Sequence, residues 1–260
     1  MSELRKYPRT PHLEGSRLQP GDEDLSQIRF KEIAERHLVI EEKIDGANTA
    51  ISFSEDGQLL LQSRGHYLTG GYRERHYNLM KQWANVHRDI FYQVLGTRYI
   101  MYGEWMYAKH SVFYDALTHY FYEFDIYDRE KGIYLDTASR KELTSRMPVV
   151  SVPVLAEGCF TRIDDVLSHI GPSHFITESH RDHLRTLSVK LGLDPEKQLL
   201  ETDDSFLMEG IYIKIEENGQ VVSRLKYVRN SFAQCVNESQ THWLERPIVP
   251  NQLAVPLEEL

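Results

Sequence analysis

The sequence predicts an α+β fold in which antiparallel sheets are flanked by helices. Apolar and polar residues alternate over 49–54 and 58–63 around Asp56-Gly57, and over 208–215 and 220–228 around Asn218-Gly219. Asp-Gly and Asn-Gly favour the left-handed backbone of tight hairpin turns, which join neighbouring strands antiparallel. Between these pairs, residues 77–95 carry apolar side chains at helical spacing. Strands and helices intersperse without a regular βαβ rhythm, which disfavours a doubly wound parallel sheet.

The elements follow in chain order. Residues 1–36 form a lead-in, irregular over 1–25, packed on a main domain of 37–244 that ends in an arm of 245–260. Residues 37–43 (HLVIEEK) are a strand running into a turn, followed by the first hairpin. Residues 65–76 are a loop rich in Gly, Arg, Tyr and His, and the helix over 77–95 stops at Gly96. Two aromatic-rich strands, 98–106 and 120–128, enclose an active loop over 107–119. Asp136 or Thr137 caps a helix through Met147, and Pro148 and Pro153 bracket a short strand. Residues 161–193 are mostly helical, in two pieces split near Gly171-Pro172. The second hairpin precedes a helix from 230 to about 244 and a proline-punctuated tail.

Composition narrows the function classes. The 260 residues are 41% hydrophobic and 27% charged, ordinary for a globular chain. No apolar run approaches the ~18 residues of a membrane helix, and residues 1–20 lack a signal-peptide core. Two cysteines, Cys159 and Cys235, make no disulfide framework or metal cluster, so the cytoplasm is the default compartment. A formal charge of -9 argues mildly against a general nucleic-acid binder, although local clusters of Lys and Arg escape that argument. Twelve histidines include no HExxH pair.

The chemistry concentrates in short motifs. Glu42-Lys43-Ile44-Asp45-Gly46-Ala47-Asn48 places a lysine at a strand end before a turn, where its stem is fixed and its amine faces a pocket. Alone, this short and common tetrapeptide pattern reads better as a simple strand–turn with a solvated lysine. Glu209 and Lys214 stand five apart, so an ideal strand points them to opposite faces; Arg224 and Lys226, two apart, share a face. Each is also compatible with an exposed hairpin face. Phe124 suits a nucleobase or an apolar core. The loop from Arg64 to Tyr77 interleaves cations with aromatics, which suits RNA or an ordinary solvated surface.

In fixed order, Lys43-x-Asp-Gly, Ser63-Arg64, Gly103-Glu104, Phe124-Asp125, Glu209-Gly-x-x-x-Lys214 and x-Leu225-Lys226 resemble the covalent nucleotidyltransferase superfamily of polynucleotide ligases and capping enzymes. The resemblance runs from about Glu41 to Arg229. Asn48, two after the motif glycine, and the run YFYEFDIYD are similar to the branch of double-strand RNA ligases and RNA-editing ligases. The segment GEWMYAKHSVFYDAL resembles small stand-alone bacterial members.

The resemblance implies an ATP-grasp-like nucleotidyltransferase domain that joins RNA 3′-OH and 5′-phosphate ends using ATP and Mg²⁺ or Mn²⁺. It implies that Lys43 attacks the α-phosphate, with nearby cations lowering a pKa that is ordinarily ~10.4. Lys214, Arg224 and Lys226 neutralise phosphate, Lys226 and Asn48 join Lys43 in catalysis, and Glu209 binds the metal. Glu104 accepts from the ribose, Phe124 stacks on adenine, Arg64 holds phosphate or ribose, and Glu42 belongs to the nucleotide-binding set. Asp45 is a structural turn residue. Arg73 and Arg75 of the loop contact RNA. The partners are RNA ends or a nicked RNA duplex, with an end-healing polynucleotide kinase and phosphatase, and no membrane. Residues 230–260 are too few for the OB-fold that follows in DNA ligases and capping enzymes. A minimal DNA ligase, a capping-type guanylyltransferase and a non-catalytic nucleotide- or RNA-binding module are the competing readings. Asn48 and the short C-terminal stretch weigh against the first two. Joint retention of Lys43, Glu209 and Lys226 weighs against the third.

Overall fold

Both hairpins form where their turn residues allow them. The computed structural model describes residues 4–18, 22, 25–232 and 247–257, the side chain of Arg73 excepted. Its strands are β1 His12–Leu13, β2 Gln27–Ile28, β3 His37–Lys43, β4 Ala47–Phe53, β5 Leu59–Ser63 and β6 Tyr99–Trp105. They continue with β7 Phe121–Asp128, β8 Ile133–Leu135, β9 Val150–Ser151, β10 Val154–Cys159, β11 Gly210–Glu217 and β12 Gln220–Val228. The helices are α1 Asn78–Val86, α2 Arg88–Leu95, α3 Thr137–Thr144, α4 Ile163–Leu167, α5 His180–Lys190 and α6 Pro195–Leu200. Asn218 (φ 53°) and Gly219 (φ 79°) make the tight turn between β11 and β12. The β4–β5 turn is longer than a two-residue loop: Gly57 N–H donates to the Ser54 carbonyl, and only Gly57 is left-handed there.

The path through the sheet is β10-β3-β11-β12-β8-β7-β6-β4-β5, and every pairing along it is antiparallel. Three short pairings off the path are parallel: β1 on β12, β1 on β2, and β9 on β7. The expected antiparallel α+β architecture is therefore the observed one. One apolar cluster packs Trp83 of α1 and Phe91 of α2 against Phe53, Met101 and Phe121 of β4, β6 and β7. A second packs Phe30 and Val166 against Leu38, Ile213 and Leu225 of β3, β11 and β12. No helix among the described residues is long and apolar enough to cross a membrane.

Several boundaries differ from the sequence expectation. The single helix over 77–95 is two, α1 and α2, separated at His87 (φ -96°, ψ 12°), and a 3₁₀ turn over Tyr72–Tyr77 precedes them. The helix after Asp136 stops at Thr144 rather than Met147, with the Asp136 side chain accepting from Ser139 N–H as its cap. Over 161–193 only α4 and α5 are helical. The α6 helix carries a signal that was legible: Asp194 caps it, accepting from Glu196 and Lys197, and Pro195 begins it. The lead-in is not wholly irregular, because β1 lies beside β12 with His12 opposite Lys226. The helix expected from 230 to about 244 lies, beyond residue 232, outside the described residues.

The expected active loop over 107–119 is clamped from two sides. The Asp45 carboxylate accepts backbone N–H bonds from Ser111 and Val112, at 2.8 and 3.2 Å. The buried Asn251 of the tail accepts from Tyr114 N–H and donates to the Met106 carbonyl. Asp45 thus braces the turn from which Lys43 is presented.

Candidate active site

Lys43 ends β3 and faces a cavity of about 900 Å³. The walls come from β3, β4, β6, β7, β11 and β12, the loop over 63–77 and the lead-in, so the cavity lies where the two halves of the sheet meet. Two glycines make the floor possible. A Cβ on Gly46 would lie 2.8 Å from the Trp105 carbonyl and 2.6 Å from the Met106 sulfur. A Cβ on Gly210 would lie 1.8 Å from the Tyr227 carbonyl, inside the atom itself. Gly210 pairs with Lys43 across β3 and β11, which brings Glu209 to the lysine.

The Lys43 ammonium donates to Glu209 Oε2 at 2.5 Å, with the glutamate side chain 1% exposed. Burial pulls the Lys43 pKa down, but the carboxylates of Glu209, Asp45 and Glu104 outweigh burial and hold it above its ordinary value. This corrects the expectation of a lowered pKa: the nearest charges are acidic. Lys226 shows the opposite balance. Burial and the Lys43 charge depress it, despite the ion pair with Asp22. Asp22 also accepts from His12 Nε2–H at 3.1 Å in the tautomer that protonates that nitrogen.

Glu104 faces Asn48 across the β4–β6 pair, and both line the cavity. Burial, with too little cationic charge nearby, raises the Glu104 pKa from its ordinary 4.5 to about 8. The folded chain therefore keeps this proton over a pH window in which the unfolded chain has released it. Stability contributed by the neutral carboxyl is lost as pH rises from about 4.5 to about 8. Glu104→Gln is expected to flatten this fall and to raise Tm at the alkaline end, read by circular dichroism melts across the window. A variant whose Tm declines with the wild-type slope would show that another group carries the effect.

Three carboxylates, those of Glu209, Asp45 and Glu104, thus surround one ammonium. Their oxygens suit a hard divalent cation, which prefers oxygen ligands. Among the described residues no group of three His, Cys, Asp or Glu is arranged to hold a metal alone. Glu209 can supply one ligand, and substrate phosphate and water would supply the rest.

Of the residues singled out from sequence, Lys43, Asn48, Arg64, Glu104, Phe124, Lys226 and Glu42 line the cavity. Glu209 is brought to it through Lys43. The Glu42 carboxylate is engaged by Ser173 Oγ at 2.5 Å and by His174. Lys214 and Arg224, expected among the phosphate-binding cations, are not among the residues that line the cavity. Tyr212 and Lys226 pair across β11 and β12 and line it; Lys214 and Arg224 form the next pair along the same face, two residues further on. There Lys214 pairs with Glu41 at 3.0 Å and Arg224 with Asp125 at 2.8 Å, while Arg140 bridges Glu41 and Glu123. Three carboxylates and three cations close this buried network behind Phe124, whose carbonyl also accepts from Lys214. Arg75 does not line the cavity; its guanidinium lies 4.6 Å from the centre of the Tyr72 ring. The Arg73 side chain lies outside the description.

Sequence reasoning missed the wall made by Tyr7 and Thr10 of the lead-in. Their hydroxyls bond that of Tyr212 at 2.9 and 2.8 Å, and Tyr7 packs edge-on against Phe124. Tyr212 itself was legible, being two residues before Lys214 and so on its face. Tyr7 was not, because nothing local marks a contact spanning most of the chain.

The solved structures that resemble this chain include Naegleria gruberi RNA ligase variants. One, with AMP and Mn, is 17% identical with a TM-score of 0.52, covering 86% of this chain and 60% of that one. Another, with ATP and Mn, is 17% identical with a TM-score of 0.51, over the same shares of each chain. At such identity the likeness shows the fold. The chain spans about half to three-fifths of the length of these solved relatives, from 52% to 62%. No curated protein matches significantly. The RNA ligase family matches residues 36–228, from the start of β3 to the end of β12. With this span taking in the cavity's lysine and all of its walls except the lead-in, the chain belongs to the RNA ligase family.

Proposed function

We propose that this chain is an ATP-dependent RNA ligase that joins a 3′-OH end to a 5′-phosphate end through AMP carried on Lys43. The observation that carries the reading is the strand-end Lys43, paired with Glu209 and flanked by Lys226, at the floor of a cavity within the family match. The ATP or AMP and Mn held by the Naegleria relatives support nucleotide and divalent metal as the chemistry of this site.

The chemistry runs in three displacements. The deprotonated Lys43 amine attacks the α-phosphorus of ATP, and the bond to pyrophosphate breaks. An oxygen of the RNA 5′-phosphate then attacks the lysyl-AMP phosphorus and releases the lysine. Finally the RNA 3′-hydroxyl attacks the activated 5′-phosphate, and AMP leaves with the bonding pair. Lys43 must first surrender its proton and its ion pair, since a protonated amine has no free pair. A divalent cation, when bound, neutralises phosphate charge and competes with Lys43 for Glu209. Lys226 supplies positive charge beside the α-phosphate. Asn48 and the neutral Glu104 present hydrogen-bonding groups from one wall, and Phe124 offers an aromatic face to the base. Asp45 works through the backbone of Ser111 and Val112, consistent with its reading as a structural residue.

The RNA ends must carry a 5′-phosphate and a 3′-OH, so an end-healing kinase and phosphatase activity belongs upstream. Cys159 is exposed and free, which suits a reducing compartment such as the cytoplasm. The test is capture of label from α-labelled ATP on the chain, and its release when nicked RNA is added. A nicked DNA duplex in a parallel arm separates this reading from a minimal DNA ligase, and labelled GTP separates it from a capping enzyme.

A further inference from the structure

At the cavity mouth, Tyr72 leaves 77% of its surface to solvent, against 43% for Phe206 and 41% for Tyr92, the next most exposed tyrosine or phenylalanine rings among the described residues. It lines the mouth together with Arg64, His66, Gly70 and Gly71. The ring is held in place: the Arg75 guanidinium lies over it and donates to its phenol oxygen. The loop beneath is also fixed. Glu74, 6% exposed, accepts from Thr69 and Gly70 N–H at 3.2 and 2.8 Å and from the Lys81 ammonium. Gly70 and Gly71 both adopt φ 117°, and a Cβ on either would meet nothing within 4 Å. The loop, tied down through Glu74, thus presents an exposed aromatic face beside open backbone and the Arg64 cation.

We infer that Tyr72 is the platform on which a base of the RNA strand beside the joint stacks. Every base has a π-face, so such a platform binds RNA ends without selecting their sequence. The Arg75 cation against the tyrosine and the Arg64 cation at the mouth complement the phosphates on either side. The position also separates this base from that of ATP, for which Phe124, Tyr212 and Tyr7 line another part of the cavity. The inference rests on the ligase reading for the identity of the strand.

The test uses the full chain and nicked RNA duplexes carrying a fluorescent aminopurine on the 5′-phosphate side or the 3′-OH side of the nick. Wild type, Tyr72→Phe and Tyr72→Trp are expected to quench at least one of the two probes, and Tyr72→Ala to quench neither. Joining of pre-adenylylated RNA by Tyr72→Ala is expected to fall about tenfold, through KM, as loss of one stacked base predicts. Its capture of AMP from ATP is expected to match wild type, which also shows that the variant folds. Wild-type quenching by Tyr72→Ala would overturn the inference, and so would a raised KM for ATP with RNA joining unchanged. AMP capture by wild type is scored in the same preparation. Its absence counts against the ligase reading, whereas capture without quenching counts against the platform alone.

Discussion

Glu209→Ala is expected to lower the rate of lysine adenylylation about a hundredfold or more. The two roles open to Glu209 predict opposite signs. If the carboxylate merely restrained Lys43, removing it would lower the lysine pKa, since Glu209 is the leading cause of the upward shift. More free amine would then be present at neutral pH, and the rate would rise. If Glu209 instead holds a divalent cation against the ATP phosphates, its loss removes several kcal/mol of charge stabilisation, and about 3 kcal/mol is a hundredfold. The carboxyl oxygens gathered around Lys43 offer a hard cation the ligands it prefers, which favours the second role. Initial rates of AMP incorporation should be followed across pH, with Glu209→Gln as a companion that keeps volume and hydrogen bonding. A variant that labels faster than wild type near neutrality would assign Glu209 to restraint and remove it from the metal site.

Asn48→Ala is expected to divide the reaction. The amide faces Glu104 across β4 and β6 and lines the cavity just beyond the turn that presents Lys43. It offers two donors and one acceptor without charge, so it orients groups without replacing the cations that hold phosphate. Hydrogen bonds aimed at charge that develops only in a transition state are worth ~3 kcal/mol. The variant should still form lysyl-AMP but join pre-adenylylated RNA about a hundredfold more slowly than wild type. Single-turnover joining on supplied RNA-adenylate isolates the last step. Joining at the wild-type rate would show that Asn48 does not act there, and would leave its amide a role in the AMP pocket alone.

Much of the site was legible because it is local. The strand-end lysine, the turn glycine and Asn48 lie within a few residues; Glu209, one residue before β11, reaches Lys43 on the face that Tyr212 and Lys214 share, which alternation did not foresee. The fold class was equally open, since Asn218-Gly219 and the alternating runs beside it dictate an antiparallel pair. What stayed hidden is set by distant contacts. Alternation places Arg224 and Lys226 on one face, but it cannot show that the face runs past the cavity into a buried network. Only the pairing of β11 with β3 and the crossing of β7 put Glu41 and Asp125 beside Lys214 and Arg224. The sign of the Lys43 shift was misread for the same reason: Asp45 was in view, whereas Glu209 and Glu104 arrive from the residue before β11 and from β6. The lead-in carries little apolar periodicity, so its strand beside β12 and its tyrosine wall were invisible locally.

The central claim is that Lys43 carries AMP. The most direct measurement strips the wild-type chain of bound nucleotide, incubates it with α-labelled ATP and Mg²⁺, denatures and digests it, and sequences the labelled peptide. The account predicts one acid-labile AMP per chain on the peptide containing Lys43, lost when nicked RNA is added and absent from Lys43→Ala. An unlabelled wild-type chain, or label that persists in Lys43→Ala, would contradict it.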